Sequence, residues 1–178
     1  MKKLICMILA AAMAACLVAC GSSNTAGGNN ESTPANNGGA VLTDPGYTFK
    51  HNGTEIIMNA DAAPIVAALG EPKRYTEEAS CAFSGLDKTY DYGSFYLQTY
   101  PQGEKDYVYC VWFADDGVNT PEGAYIGMAQ ADVENIYGAE SFNGSNAYIL
   151  TKGACKLTVI ITDGAVSSIQ YDAVLCEG

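Results

Sequence analysis

The sequence has a single histidine and no close pair of cysteines, which removes the commonest catalytic and metal-binding patterns. His51 is the only imidazole among 178 residues, so a Ser-His-Asp or Cys-His arrangement would need a nucleophile beside this one side chain. Zinc sites favour cysteines spaced as C-x₂₋₄-C. The cysteines of the C-terminal part lie 29, 45 and 21 residues apart: Cys81, Cys110, Cys155 and Cys176. We therefore expect no metal, no cofactor and no enzymatic activity.

Basic residues are also scarce. The chain has 9 Lys and Arg against 20 Asp and Glu, a net charge of −11. Without Lys2 and Lys3, which belong to the leader segment discussed next, the net charge is −13. Because nucleic acids and anionic lipids attract basic side chains, we expect neither as a partner. The simplest role of the charge is solubility, and binding of a cation or a basic partner is the alternative.

No hydrophobic run is long enough to span a bilayer, which needs about 20 apolar residues. Residues 4–15 are almost wholly apolar and follow Lys2 and Lys3, a pattern typical of a cleaved secretion signal. Residues 17–21 read Leu-Val-Ala-Cys-Gly and resemble a lipobox, in which the cysteine is acylated. We therefore expect residues 1–19 to be removed and Cys20 to carry the lipid. Two acyl chains anchor a protein stably, whereas an ordinary signal with a chance cysteine is the alternative.

The composition then separates a tether from a folded domain. Residues 20–44 are rich in Ser, Asn, Gly, Ala and Pro, a composition that buries too little apolar surface to fold. Residues 45–178 are long enough for one domain with a hydrophobic core. We expect the mature protein to lie on the cell membrane, anchored through Cys20 and facing outside the cytoplasm.

The domain's four cysteines permit two disulfides, because an exported chain meets an oxidising environment. We expect Cys81–Cys110 and Cys155–Cys176, since each bond would then lie within one repeat as defined below. For the second bond the tail after Val174 must fold back. The alternatives are four reduced, buried thiols, or a bond from Cys81 to the second repeat.

The domain contains a degenerate internal repeat, about 53–119 and 120–178. Both copies have an isoleucine two residues before a methionine, then an Ala-Asp pair, and end in a large residue followed by glycine. Each copy predicts a short helix. The first has Asn59 or Asp61 as N-cap, Pro64 in its first turn and Gly70 at its end. The second ends at Gly138 and lacks a good capping side chain.

Strand-like segments follow each helix. They lie at about 79–84, 88–92, 94–100 and 107–114 in the first copy, and at about 147–151, 155–162 and 166–174 in the second. Pairing Leu157 with Tyr171 and Val159 with Ile169 requires a three-residue loop at 163–165. The order of elements, a helix followed by strands in each of the two copies with short connections between them, predicts an α+β domain. In this domain one antiparallel sheet has both helices packed on one face.

Tyrosine is the compositional oddity of the first repeat, with Trp112 close by. Tyrosine provides contact area at low entropic cost and is favoured at interfaces, although it also simply suits strands. We expect a binding face composed of Tyr90, Tyr92, Tyr96, Tyr100, Tyr107 and Tyr109.

Several segments resemble a group of lipoproteins from gut clostridia. These segments are Leu-Gly-Glu-Pro at 69–72, Ser-Cys-Ala-Phe-Ser-Gly-Leu-Asp-Lys-Thr-Tyr at 80–90, Thr-Tyr-Pro at 99–101, Thr-Pro-Glu-Gly-Ala-Tyr-Ile-Gly-Met at 120–128 and Val-Ser-Ser-Ile-Gln-Tyr at 166–171. The order of the repeated elements is also similar to the beta-lactamase inhibitor protein fold. That resemblance implies a concave sheet that grips a partner protein, and no binding residues follow from it.

The sequence thus favours a lipid-anchored binding module that presents its sheet to a surface protein or an envelope polymer. One alternative is a carboxylate-dependent cell-wall hydrolase, because paired acidic residues can cleave glycans. The pairs are Glu77-Glu78, Asp115-Asp116 and Asp87 with Asp91, of which Asp115-Asp116-Gly117 is typical of a turn. The other alternative is a structural envelope lipoprotein.

Overall fold

The computed structural model describes residues 44–175. The signal segment, Cys20, the tether up to residue 43 and Cys176 lie outside the described residues, so what the sequence predicts for them stays a prediction. No helix within residues 44–175 is long and apolar enough to cross a membrane.

The fold is α+β, as predicted, with each α-helix followed by a run of antiparallel strands. Over the described residues the elements are β1 Phe49–His51, β2 Thr54–Ile56, α1 Ala62–Leu69, β3 Arg74–Ala79, β4 Leu86–Asp91, β5 Phe95–Gln102, β6 Lys105–Phe113, α2 Gln130–Tyr137, β7 Ala147–Lys152, β8 Cys155–Thr162 and β9 Ala165–Ala173. A 3₁₀ turn follows α2. The main sheet has seven strands in the order β3-β4-β5-β6-β9-β8-β7, and β1 and β2 form a separate hairpin. Pairing of β6 with β9 joins the strands of the two repeats into one sheet.

Helix α1 begins and ends where the sequence predicts. The Asp61 carboxylate accepts from the backbone N–H of Ala63 at 3.1 Å, which satisfies one of the free donors of the first turn. Lys105 donates to the same carboxylate at 2.8 Å, and this hydrogen bond lowers the pKa of Asp61. Gly70 ends the helix at φ +80°, a conformation that glycine adopts without a steric penalty.

Helix α2 lacks a side-chain cap, also as predicted. Ala129 stands at the N-cap position and makes no capping hydrogen bond. Asp132 lies in the first turn, where a negative charge is favourable to the helix dipole. Gly138 ends the helix at φ +81°.

In the first repeat one predicted strand is wrong, and one hairpin is missing from the prediction. The segment predicted as a strand at 79–84 is mostly loop, because β3 lies earlier, at Arg74–Ala79. Ser80 holds this loop by accepting from the N–H groups of Ala82 and Phe83 at 3.4 and 3.2 Å. The hairpin β1–β2 was not predicted, although its Asn52-Gly53 turn, with φ of +48° and +83°, is a strong hairpin signal.

The predicted register between β8 and β9 is confirmed at Leu157–Tyr171 and Val159–Ile169. The predicted three-residue loop is wrong. The strands are joined by a two-residue turn at 163–164, in which both residues have positive φ, as a type I′ turn requires.

A β-bulge in β9 explains why the turn is one residue shorter than predicted. Ile160 pairs with Ser168, whereas Ile161 pairs with Val166, so Ser167 has no partner of its own on β8. The bulge absorbs one residue within the ladder, which lets the hairpin close with the shorter turn.

The core lies between the sheet and a layer made of the β1–β2 hairpin and both helices. Phe49 of the hairpin is fully buried, and its ring centroid lies 5.0 Å from that of Phe95 and 5.1 Å from that of Phe113. Ile65 of α1 and Val133 of α2 belong to the same cluster of buried side chains. Both helices therefore cover one face of the sheet, which we call the helix face.

The first described residues pack against the turn between β7 and β8. The Asp44 carbonyl accepts from the N–H of Ala154 at 3.1 Å. A Cβ on Gly153 would clash with this carbonyl oxygen, and one on Gly46 would clash with the carbonyl oxygen of Lys152. The two glycines thus permit a backbone approach that joins the start of the domain to the second repeat.

Replacing Gly153 with alanine should therefore destabilise the protein more than the same change at Gly103. Each glycine opens a two-residue hairpin turn with positive φ, so both variants pay about 1–2 kcal/mol for the left-handed conformation. Only Gly153 faces a close neighbour, and overpacking adds about 1–3 kcal/mol. Urea unfolding of Gly153→Ala and Gly103→Ala measures the difference. Equal destabilisation would contradict the packing of the first residues on this turn.

The structure has no disulfide among the described cysteines. Cys81 is an exposed free thiol, and Cys110 and Cys155 are buried free thiols. Cys81 lies in the loop that joins β3 and β4, with β5 between this hairpin and β6, so the predicted Cys81–Cys110 bond is not formed. Cys155 is a free thiol as well, and Cys176, its predicted partner, lies outside the described residues.

Labelling with N-ethylmaleimide near neutral pH should distinguish these thiols. We expect Cys81 to be modified rapidly in the native protein. Burial raises the pKa of Cys110, and it raises that of Cys155 to about 12, so both should react only after unfolding, because the thiolate is the nucleophile. Mass spectrometry of tryptic peptides measures each site. Failure to label Cys81 even in unfolded, unreduced protein would show that it is oxidised after all.

Candidate binding face

The second face of the seven-stranded sheet, opposite the helices, carries the strongest candidate for a functional surface. Neighbouring residues of a strand alternate between faces, and directly opposed residues share one. Leu97 and Val111 are opposed and lie in the core. The residues on either side of Leu97 in β5 and of Val111 in β6 therefore point to the opposite face of the sheet. We call the surface formed by Tyr96, Gln98, Cys110, Trp112, Gln170 and Asp172 the open face.

An aromatic pair lies at the centre of the open face. Tyr96 of β5 and Trp112 of β6 are directly opposed, and their rings stack with centroids 4.9 Å apart and an interplanar angle of 16°. Both side chains are half-buried. The indole belongs to the single tryptophan of the chain.

A row of polar side chains crosses the sheet beside this pair. Gln98 opposes Cys110, which opposes Asp172 of β9. Gln170 donates to the Asp172 carboxylate at 2.6 Å. Burial is the main cause that raises the pKa of the Cys110 thiol, and the Asp172 charge adds to it, so this thiol stays protonated near neutral pH.

Two ion pairs neutralise the carboxylates that border the aromatic pair. Asp91 of β4 opposes Tyr96 and pairs with Arg74 at 3.1 Å. Asp172 pairs with Lys156 of β8 at 3.3 Å. Exposed pairs of this kind add little stability, but they neutralise both of these carboxylates.

A second aromatic cluster lies farther along β5 and β6. The Tyr100 ring centroid lies 5.8 Å from that of Tyr107, 6.1 Å from that of Tyr109 and 4.7 Å from that of Phe83 in the β3–β4 loop. Tyr100 is only 6% exposed, and its hydroxyl donates to Asn59 at 3.1 Å. Tyr109 is the most accessible tyrosine of this cluster, at 37%.

A β-bulge determines which residues of β6 reach the open face. Gln98 pairs with Cys110 but Thr99 pairs with Val108, so Tyr109 has no partner on β5. The extra residue shifts the alternation by one. Tyr107 and Trp112 therefore share a face although they lie five residues apart in sequence.

The six predicted tyrosines do not form one surface. Tyr90 and Tyr92 pack against the core from the helix face, with Tyr92 stacked on Phe95 at 5.1 Å. Tyr96, Tyr100, Tyr107 and Tyr109 lie on the other side, and of these only Tyr96 and Tyr109 are accessible enough to contact a ligand. The predicted binding face is therefore corrected to part of the open face.

Sequence reasoning missed the polar members of the open face, Gln98 and Gln170, and treated Trp112 only as a neighbour of the tyrosines. Period-two alternation from Tyr96 would have found Gln98. The sequence alone could not place Trp112 opposite Tyr96, because the bulge at Tyr109 shifts the pairing register of β6 by one residue.

Of the remaining candidates for chemistry, Glu78 and Asp87 are directly opposed on β3 and β4 and share the side of Asp91. His51 belongs to the β1–β2 hairpin and Asp115 to a loop. His51 lines a cleft of about 460 Å³ with Lys50, Asn52 and Asn119, and Asn52 shares a 3.0 Å hydrogen bond with its ring. Asp115 accepts from the N–H of Gly117 at 2.8 Å, an interaction of turns that lowers the pKa of Asp115. No group of three or more His, Cys, Asp or Glu side chains in residues 44–175 could hold a metal ion.

Comparisons with known proteins give little similarity. No protein-family model matches the sequence, and no curated protein matches it. Among solved structures, the chain is similar to an extracellular protein containing an SCP domain from Bacillus anthracis str. Ames, with 15% sequence identity and a TM-score of 0.41. The match covers 70% of this chain and 48% of the other, so this chain spans about half the length of that protein.

Proposed function

We propose that the protein is a lipid-anchored, extracytoplasmic binding module without catalytic activity, and that its open face contacts the ligand. The observation that carries this proposal is the stacked Tyr96–Trp112 pair, half-buried on the sheet face opposite the helices. Aromatic rings that combine apolar area with a polar end are favoured at binding surfaces.

The organisation of the domain supports the same proposal. Hairpin and helices pack on one side of the sheet, which leaves the open face available to a partner. Two carboxylates poised for hydrolysis would need an unpaired acidic side chain facing a second one. On this face Asp91 and Asp172 are each paired with a basic side chain, whereas Glu78 and Asp87, directly opposed on β3 and β4, are the acidic pair that a hydrolase would have to use.

The anchor and the family relationship are part of the proposal. Acylation of Cys20 would hold the domain at the membrane by the tether of residues 20–44. We also propose a relationship to the clostridial lipoproteins named above, and a layout like the beta-lactamase inhibitor protein fold, in which a sheet face is the binding surface.

Capture experiments with envelope extract should test the open face directly. The full mature lipoprotein in detergent micelles serves as bait, alongside Tyr96→Ala and Trp112→Ala. We expect each variant to lose most of the specifically captured material, because a central aromatic residue of an interface typically contributes about 2 kcal/mol or more. Quantitative mass spectrometry and polysaccharide analysis of the captured material measure the loss.

Tyr75→Ala is the matched control. Tyr75 lies on the helix face, where its ring packs on Tyr90 with centroids 5.0 Å apart and 42% of the residue is exposed. It should capture as much as the unmodified protein, and thermal unfolding should show that all variants are folded. Undiminished capture by Tyr96→Ala and Trp112→Ala, or loss with Tyr75→Ala alone, would refute the open face as the binding surface.

A further inference from the structure

We infer that the ligand of the open face is an uncharged polysaccharide, whose sugar rings stack on Tyr96 and Trp112 while neighbouring side chains hydrogen-bond its hydroxyl groups. This inference rests on the proposed function and assigns the chemical class of the ligand. A pyranose ring has an apolar C–H face and a polar rim, so it requires an aromatic surface beside unsatisfied hydrogen-bonding groups.

The open face has such groups. The Tyr96 hydroxyl, the Gln98 amide and the Trp112 N–H have no hydrogen-bond partner among residues 44–175. All three side chains are half-buried, so sheet packing restrains them before a ligand arrives. A side-chain amide has two donors and an acceptor, so it can bind a sugar hydroxyl group that either donates or accepts a hydrogen bond.

The charge distribution favours a neutral ligand. The chain has a net charge of −11, yet the carboxylates beside the aromatic pair, Asp91 and Asp172, are each neutralised by a basic partner. Among residues 44–175, a polyanion would meet only basic side chains already held in these pairs beside the aromatic rings, and a polycation could bind Asp91 or Asp172 only by displacing Arg74 or Lys156. An uncharged chain meets neither cost.

The kind of apolar surface on the open face suits a sugar. Stacking on a pyranose ring needs an aromatic side chain rather than an aliphatic one, and the accessible apolar groups at the centre of the open face are the aromatic rings of Tyr96 and Trp112. Its one strongly exposed aliphatic side chain is Ile149, on the edge strand β7, 47% exposed. The accessible Tyr109 packs on Tyr100, which lies four residues from Tyr96 along β5, about 13 Å, so the accessible rings are far enough apart for an extended chain rather than a single sugar.

Trp112 provides a direct measurement, because it is the only tryptophan in the chain. The full mature lipoprotein in detergent micelles is titrated with a panel of soluble hexasaccharides: cellohexaose, xylohexaose, mannohexaose and N-acetylglucosamine hexamer as neutral chains, glucosamine hexamer as the cation and galacturonate hexamer as the anion. We expect at least one neutral chain to change the tryptophan emission saturably, and neither charged chain to do so.

Variants then place the site, with calorimetry as the readout. Trp112→Ala and Gln98→Ala should each bind the same neutral chain at least about tenfold more weakly. Trp112→Phe should restore part of the affinity, and Tyr75→Ala should bind unchanged. An unchanged affinity in Trp112→Ala, or preference for a charged chain, would overturn the inference.

Failure of this inference can be told from failure of the proposed function. If every neutral chain fails to bind, while capture of an envelope protein still depends on Tyr96 and Trp112, the open face binds a protein and the polysaccharide assignment is wrong. If neither glycan binding nor capture depends on these two residues, the proposed function is itself wrong.

Discussion

The organisation of the molecule depends on one-sided burial of its sheet. Phe49 is the clearest case, since its ring is fully buried between the β1–β2 hairpin and the sheet residues Phe95 and Phe113. Hydrophobic burial of this kind is the main favourable term of folding. Because the hairpin and both helices contribute to the same core cluster, all three lie on one face of the sheet, opposite the open face.

The two β-bulges adapt the sheet to this division. At Tyr109 the bulge brings Trp112 opposite Tyr96 on the open face, while Val108 and Val111 both stay in the core. At Ser167 the bulge lets Val166 and Ile169, three residues apart, both face the core. A ladder without bulges would turn one member of each buried pair toward the open face, since alternation has a period of two.

Local sequence signals predicted the helices and the second half of the sheet well. Asp61 and Gly70 bracket α1 because caps act through hydrogen bonds and backbone conformations within a few residues. The register of β8 with β9 followed from pairing the alternating apolar residues Leu157 and Val159 with Tyr171 and Ile169 on the next strand.

The errors arose where non-local contacts decide the structure. The loop at 80–85 has strand-like residues, but Phe83 packs on Tyr100, two strands away, instead of extending β3. Tyr90 and Tyr92 were grouped with Tyr96 by composition, and only the pairing of β4 with β5 shows that they lie on opposite faces. The members of the open face could therefore be identified only from the pairing register of the strands, which cannot be read from a sequence that contains bulges.

Hydroxyl-radical footprinting tests the central claim, that the open face is the contact surface, most directly. The protein is oxidised alone and again in the presence of purified envelope of the producing cells, and modification is read for each residue by mass spectrometry. The account predicts protection of Tyr96, Tyr109 and Trp112 on binding, with no change at Tyr75 and Leu86, which are exposed on the helix side. Protection of Tyr75 and Leu86, with Trp112 still fully reactive, would contradict it.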